Sequence, residues 1–170
     1  PHLMQGQPTT SPRTPIFAIN GEVLFHRVPI RRGSRNTGYT DIGANEALGE
    51  PLLAVSSGMP WQPRNIMKEA VAAAKKIRRS IRFNRSRFVA FSYPKIAVQF
   101  LWGSKEVMML ELGSWAEVPK TAAVDREPLK PSNFERWSFL DERPSNTKRA
   151  NIQKFEERME RWESPETREI

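Results

Sequence analysis

Residues 95–112 read KIAVQFLWGSKEVMMLEL. Ile96, Val98, Phe100 and Trp102 alternate with Lys95, Ala97, Gln99 and Leu101, the period-two pattern of a strand with two distinct faces. Gly103-Ser104 then supplies a type II′ turn. In that register the return strand pairs Phe100 with Val107 and Val98 with Met109. The face carrying Ile96, Val98 and Phe100 is the expected core, and Trp102, opposite Lys105, reads as a half-exposed lid on it. Just upstream, Phe88 to Tyr93 forms a short strand ended by Pro94. Residues 88–112 therefore predict a small antiparallel sheet.

The sheet needs a cover, and the preceding stretch provides one. Residues 62–87 read QPRNIMKEAVAAAKKIRRSIRFNRSR. Pro63 suits the first helical position. At 100° per residue, Ile66, Ala70, Ala73, Ala74, Ile77 and Ile81 fall on one stripe, with Met67 and Val71 at its edge, so an amphipathic helix is expected over 62–83. Its alanines permit close approach to a sheet or another helix. Lys68, Lys75, Arg79 and Arg82 gather on another face, with Arg78 at the boundary. A helix of this kind is ordinarily a core helix with a solvated charged side. Here Glu69 is the sole acid, so the usual i, i+4 ion pairs are missing, and an external anion would relieve the repulsion.

Charge is concentrated in the same stretch. From Arg64 to Arg87 there are nine basic residues and one acid, a net +8 equal to that of the whole 170-residue chain. Residues 125–170 are close to neutral, with ten basic and eleven acidic side chains. An isoelectric point near 10.2 favours nucleic acid, or an anionic surface, as partner. Arginine outnumbers lysine 18 to 9; its planar fork grips phosphate bidentately and stacks on bases, which suits RNA. The tail Arg82-Phe83-Asn84-Arg85-Ser86-Arg87 interleaves arginine with an aromatic, a pattern for phosphates and unstacked bases, although Phe83 can equally pack under the helix.

Elsewhere the pattern is weaker. Residues 1–15 are rich in proline and threonine and read as a disordered tail, or as an extended arm that lies along a partner. Over 16–28, Asn20-Gly21 between two apolar runs predicts a type I′ hairpin pairing Ile19 with Glu22, Ala18 with Val23, Phe17 with Leu24 and Ile16 with Phe25. Residues 29–60 show no sustained period and are expected to be irregular. They hold a basic cluster, Arg31, Arg32 and Arg35, which either clamps phosphates or forms a solvated loop. Residues 113–145 contain Trp115, Phe134, Trp137, Phe139 and Leu140 among several prolines, an irregular segment expected to wrap the domain or a neighbour. Ser145 or Asn146 can cap a last helix over 147–163, with a seam of Ile152, Phe155, Met159 and Trp162, closed by Pro165.

Apolar content is 38%, below the usual range of about 45–50%, so a modest core with long extensions is expected. The domain plan is an arm (1–15), an α+β core (16–112), a wrapping segment (113–145) and a C-terminal helix and tail (146–170). There is no cysteine, and His2 and His26 are the only histidines. Thiolate metal sites are excluded, and a histidine-dependent active site has little to work with. No HExxH, GxSxG, phosphate-loop or calcium-loop pattern occurs. The expectation is a non-enzyme with no cofactor, no metal and no small-molecule substrate. No apolar run reaches the roughly 18 residues of a membrane span. The chain opens on Pro1 rather than Met, as a processed or partial chain would.

From residue 62 on, the α-β-β-β-α order resembles that of a double-stranded-RNA-binding domain, a likeness of order alone. In composition and organisation — a small basic α/β core, proline-rich arms, aromatic-studded extensions and no cysteine — the chain resembles a lineage-specific mitochondrial ribosomal protein. That resemblance implies a structural subunit in the mitochondrial matrix, acting in translation within a ribonucleoprotein and contacting rRNA and neighbouring proteins. It carries no residue of its own. The residues expected at RNA, from charge and pattern, are Lys68, Lys75, Lys76, Arg78, Arg79, Arg82, Arg85 and Arg87, with Arg31, Arg32 and Arg35. The alternative is an accessory protein-interaction subunit of a respiratory complex or ATP synthase.

Overall fold

The computed structural model describes residues 13–58, 61–92, 94–120 and 145–163. Outside them fall most of the expected N-terminal arm, the wrapping segment beyond residue 120 with Phe134, Trp137, Phe139 and Leu140, and the tail after Glu163. The fold is α+β. Its sheet has seven strands: β1 (Thr14–Phe17), β2 (Val23–Arg32), β3 (Arg35–Gly43), β4 (Leu52–Ser57), β5 (Arg85–Ser92), β6 (Lys95–Trp102) and β7 (Lys105–Glu111). Helix α1 (Pro63–Ile77) joins β4 to β5, and α2 (Ser145–Glu163) follows β7. The spatial order is β4-β3-β2-β1-β5-β6-β7. Every neighbouring pair is antiparallel except β1 and β5, which run parallel and join two meanders.

The sheet is thus large where a small one was expected, and the difference lies in residues 29–60. Instead of an irregular stretch, they complete β2 and build β3 and β4. Two features hid them. Pro29 lies inside a strand, where a missing N–H normally counts against strand structure. It is tolerated because β1 begins at Thr14, opposite Arg27, so β2 has no described neighbour on that side at Pro29. Gly38 also breaks the apolar alternation. It is needed there because a Cβ would lie 2.1 Å from the Ser56 carbonyl oxygen.

Two hairpin registers also differ from expectation. Ile16 does face Phe25, but a bulge pairs Phe17 with Val23. The loop spans three residues rather than two, closed by bonds from Ala18 N to Glu22 O and from Gly21 N to Ala18 O. Gly21 alone takes a positive φ, +103°, where a type I′ turn would need two. In the β6–β7 hairpin Trp102 faces Lys105, but a bulge then pairs Phe100 with Met108 and Val98 with Leu110. An extra residue in one strand moves every later pair by one.

Helix α1 ends at Ile77, six residues before its expected end. Arg78 is extended (φ −137°), although its N–H still reaches Ala74 O. Lys75 and Lys76 in the last turn suit the helix dipole, and Arg78 leaves to hydrogen-bond Val107 O at 3.2 Å. The apolar stripe packs where expected. Ala70 and Ala74 are fully buried beside Ile96, Val98 and Phe100, with Ile66, Met67, Val71, Ala73 and Ile81 partly buried against them. Ile77 departs from the stripe and is 48% exposed. The opposite face of the β5–β7 half has its own core of Val89, Phe91, Ala97, Met109 and Val118. Val118 reaches it because residues after β7 fold back, with Val118 N bonded to Met109 O.

A polar knot sits beneath β1–β3. Arg27 and Asp41, opposite each other across β2 and β3, form a bidentate pair with both contacts at 2.7 Å, and both are buried. The Arg27 guanidinium lies 3.8 Å from the Tyr39 ring centroid and 4.7 Å from that of Trp61. Trp61 also packs on Phe88 at 5.2 Å, and its indole N–H donates to Thr14 Oγ1 at 3.1 Å. One indole therefore touches β1, β2, β3 and β5, both halves of the sheet.

Two predictions follow from these environments. Asp41→Asn leaves Arg27 charged and buried without its counter-ion, so unfolding stability should fall by about 3–5 kcal/mol; a denaturant titration reads this directly. His26 is the second case. Its Nδ1 is buried and has no hydrogen-bond partner among the described residues. Burial, and secondly the charge of Arg13, holds its pKa below the ordinary 6.5. The unfolded chain then binds the proton more readily, so stability is lost as pH falls through the ordinary imidazole range and levels off below the folded pKa. Urea midpoints between pH 5 and 8 should fall less on the acid side for His26→Gln than for wild type.

Candidate nucleic-acid interface

The strand register decides where the basic residues go. Thr14 faces Arg27 and Ile16 faces Phe88, so the starts of β1 and β5 and the end of β2 share one rim of the sheet. Arg32 faces Arg35 at the tip of the β2–β3 hairpin. Arg85 faces Leu101, and Trp102 faces Lys105 at the tip of the β6–β7 hairpin. Both tips therefore reach that same rim. Helix α1 lies along it on the inner face. Its entry residue Trp61 bonds Thr14 Oγ1, and the Trp61 carbonyl accepts from Asn36 Nδ2 at 3.4 Å. At its far end Arg78 reaches Val107 O and pairs with Glu117 at 3.3 Å.

The two basic clusters, residues 31–35 and 64–85, are brought to one rim. It carries Arg31, Arg32 and Arg35 from one hairpin, Lys68, Lys75 and Lys76 from α1, Arg79 and Arg82 from the connection to β5, and Arg85 from the start of β5. All nine are exposed. Among the described residues, none of them forms an ion pair; Arg31 bonds only the Asn36 side chain, at 3.2 Å. A cleft of about 350 Å³ beside the first hairpin is lined by Ile30, Arg35, Asn36, Thr37, Ser57 and Gly58. A second depression, with an apolar floor of Met67 and Val71 between Arg64 and Lys68, runs along α1.

Two expected residues play other parts. Arg78 is exposed but tied to Val107 and Glu117. Arg87 is half-buried on the outer face, where it donates to Gln99 Oε1 at 2.7 Å and to Ile19 O at 3.2 Å and lies over Phe17. Burial lowers its pKa, Arg85 adds to this and Glu106 offsets it. These contacts make Arg87 a brace between sheet halves rather than part of the exposed rim. Phe83 packs on Phe100 at 4.8 Å, the structural option of the two open to it.

Three residues of the rim were not among those expected at RNA. Arg64 and Lys105 are exposed cations there. Trp102, read as a half-exposed lid, is 55% exposed. The signal was its position immediately before the Gly103-Ser104 turn, which puts an aromatic at a hairpin tip.

The opposite rim differs in character. Glu22, Glu46, Glu50 and Glu111 lie toward it, and α2 docks there. Asn151 Nδ2 donates to Ala47 O at 2.9 Å, Arg158 pairs with Glu50, and Phe155 approaches Gly43. Ile152, Phe155 and Met159 are half-buried, the seam expected of this helix; the side chain of Trp162 lies outside the described residues. No group of three or more potential metal ligands occurs among the described residues, and no described helix is long and apolar enough to cross a membrane. Compared with protein-family models, curated proteins and solved structures, the chain has no match.

Proposed function

We propose that this chain is a non-catalytic, RNA-contacting subunit of a ribonucleoprotein assembly, the mitochondrial ribosome being the first candidate and the matrix its location. One observation carries the reading. Exposed arginines and lysines from two hairpins and one helix converge on a single rim, where Glu69 is the one acid of the helix and none of the nine cations forms an ion pair among the described residues. A phosphate backbone supplies that neutralisation and releases counter-ions on binding. The mixed or acidic opposite rim and the docked helix α2 leave that side for protein neighbours.

A second reading has its own support. On the outer face of the β2–β4 half, Ile42, Leu52 and Val55 are exposed, Val55 by 63%. β4 ends the sheet and its sequence LLAVSS carries no charge, whereas edge strands facing water are normally blunted by charge or proline. This favours a protein contact there, as an accessory subunit of another mitochondrial complex would require. Loss from the native assembly on RNase treatment supports the first reading; persistence in a detergent-solubilised membrane complex supports the second.

Changing Lys75, Arg79, Arg82 and Arg85 together to glutamine removes four exposed charges and no described hydrogen bond. The variant should fold with an unchanged circular dichroism spectrum. Its affinity for RNA near 0.1 M salt should fall at least about tenfold, and the slope of log K against log salt should shrink by about 3 for a single strand. Unchanged affinity and slope would refute the assignment.

A further inference from the structure

We propose that the basic rim reads unpaired RNA, with the exposed indole of Trp102 stacking on one splayed base while Arg82 and Lys105 hold the adjoining phosphates. This rests on the RNA-contacting reading above and adds what that reading leaves open, the form of the nucleic acid and the residue that selects it.

Trp102 is the most exposed aromatic side chain among the described residues, at 55%. The other aromatics on the inner face are engaged inward. Phe83 rests on Phe100, and Trp61 is enclosed by Tyr39, Phe88 and Arg27. Trp102 continues the inward-facing row of Ile96, Val98 and Phe100 but passes beyond the end of the core. A polar or charged residue at this hairpin tip would serve solubility better, so the exposed ring has no structural explanation in the core.

Its surroundings are both cationic and rigid. Lys105 is its cross-strand partner. The tip is fastened to the basic tail by Asn84, whose side-chain oxygen accepts from Gly103 N at 3.0 Å and whose own N–H donates to Leu101 O at 3.0 Å. Asn84 lies two residues from Arg82, so this clamp fixes the backbone that carries the ring relative to the backbone that carries that arginine, while Arg85, opposite Leu101, shares the outer face with Arg87. A backbone held in this way loses little freedom on binding.

The choice between paired and unpaired RNA follows from access. Bases stacked inside an A-form duplex present no face to an indole, whereas unpaired bases stack readily on aromatic side chains. Stacking is tolerant of base identity because every base has a π face. The site should therefore discriminate by strand state rather than by sequence.

The test compares binding of the full chain to a labelled oligouridylate of about 12 nucleotides and to an RNA duplex of the same length, by fluorescence anisotropy at fixed salt. Trp102→Ala should weaken oligouridylate binding about tenfold and duplex binding less than about twofold, while Trp102→Phe retains most single-strand affinity. Circular dichroism and thermal melting should match wild type, because the ring lies outside the core. If Trp102→Ala binds oligouridylate as wild type does, or loses both RNAs equally, the stacking role is wrong. Should the glutamine variant at Lys75, Arg79, Arg82 and Arg85 still weaken both RNAs, the basic-rim reading survives that failure. If wild type binds neither RNA, both fall together.

Discussion

Trp61 holds the two halves of the sheet to one another. Among the described residues, the two halves pair in the backbone where β1 meets β5, at Ile16 with Phe88 and Phe17 with Val89. Beneath that junction the indole packs on Phe88, donates to Thr14 and lies against the Arg27 guanidinium. Asp41 neutralises Arg27 from β3, so a charge buried by the indole is compensated in place. Arginine is suited to this because its planar head can donate two bonds to a carboxylate in its plane and hold aromatic rings on its faces.

The same indole sets the course of α1. The helix starts two residues after Trp61 and can only run along the inner face from that anchor toward β7, where Arg78 ties down its far end. Ala70 and Ala74, with no bulk beyond Cβ, let it lie close on Ile96, Val98 and Phe100. The consequence for function is geometric. A helix pinned along one rim, between two hairpins whose tips reach that rim, gathers cations from distant parts of the chain into one field. Fields of this kind attract and orient polyanions before contact is made.

The parts of this arrangement differ in how far the sequence reveals them. The bounds of β6 and the packing of the Ile/Ala stripe on Ile96, Val98 and Phe100 follow from strict periodicity, so they were legible. Strands β3 and β4 were not. Gly38 and Gly43 remove side chains where backbone comes close, Pro29 interrupts an otherwise strand-like run, and Ile42, Leu52 and Val55 face outward rather than alternate into a core. The Arg27–Asp41 pair joins residues of no distinctive motif, fourteen positions apart. The site residues could be chosen from charge alone, but their meeting at one rim depends on register, and register here is shifted by bulges. Charge alone also placed Arg87 among the binding residues, whereas the fold uses it as a brace between Gln99 and Ile19.

The proposed function requires RNA to meet one rim of the sheet and not the other. Ultraviolet cross-linking of the full chain to RNA, followed by mass mapping of the modified peptides, tests this most directly. Adducts should concentrate on residues 31–35, 64–85 and 102–105. Adducts concentrated instead on 145–163 and on the β3–β4 connection at 44–51, with the first set unmodified, would contradict it.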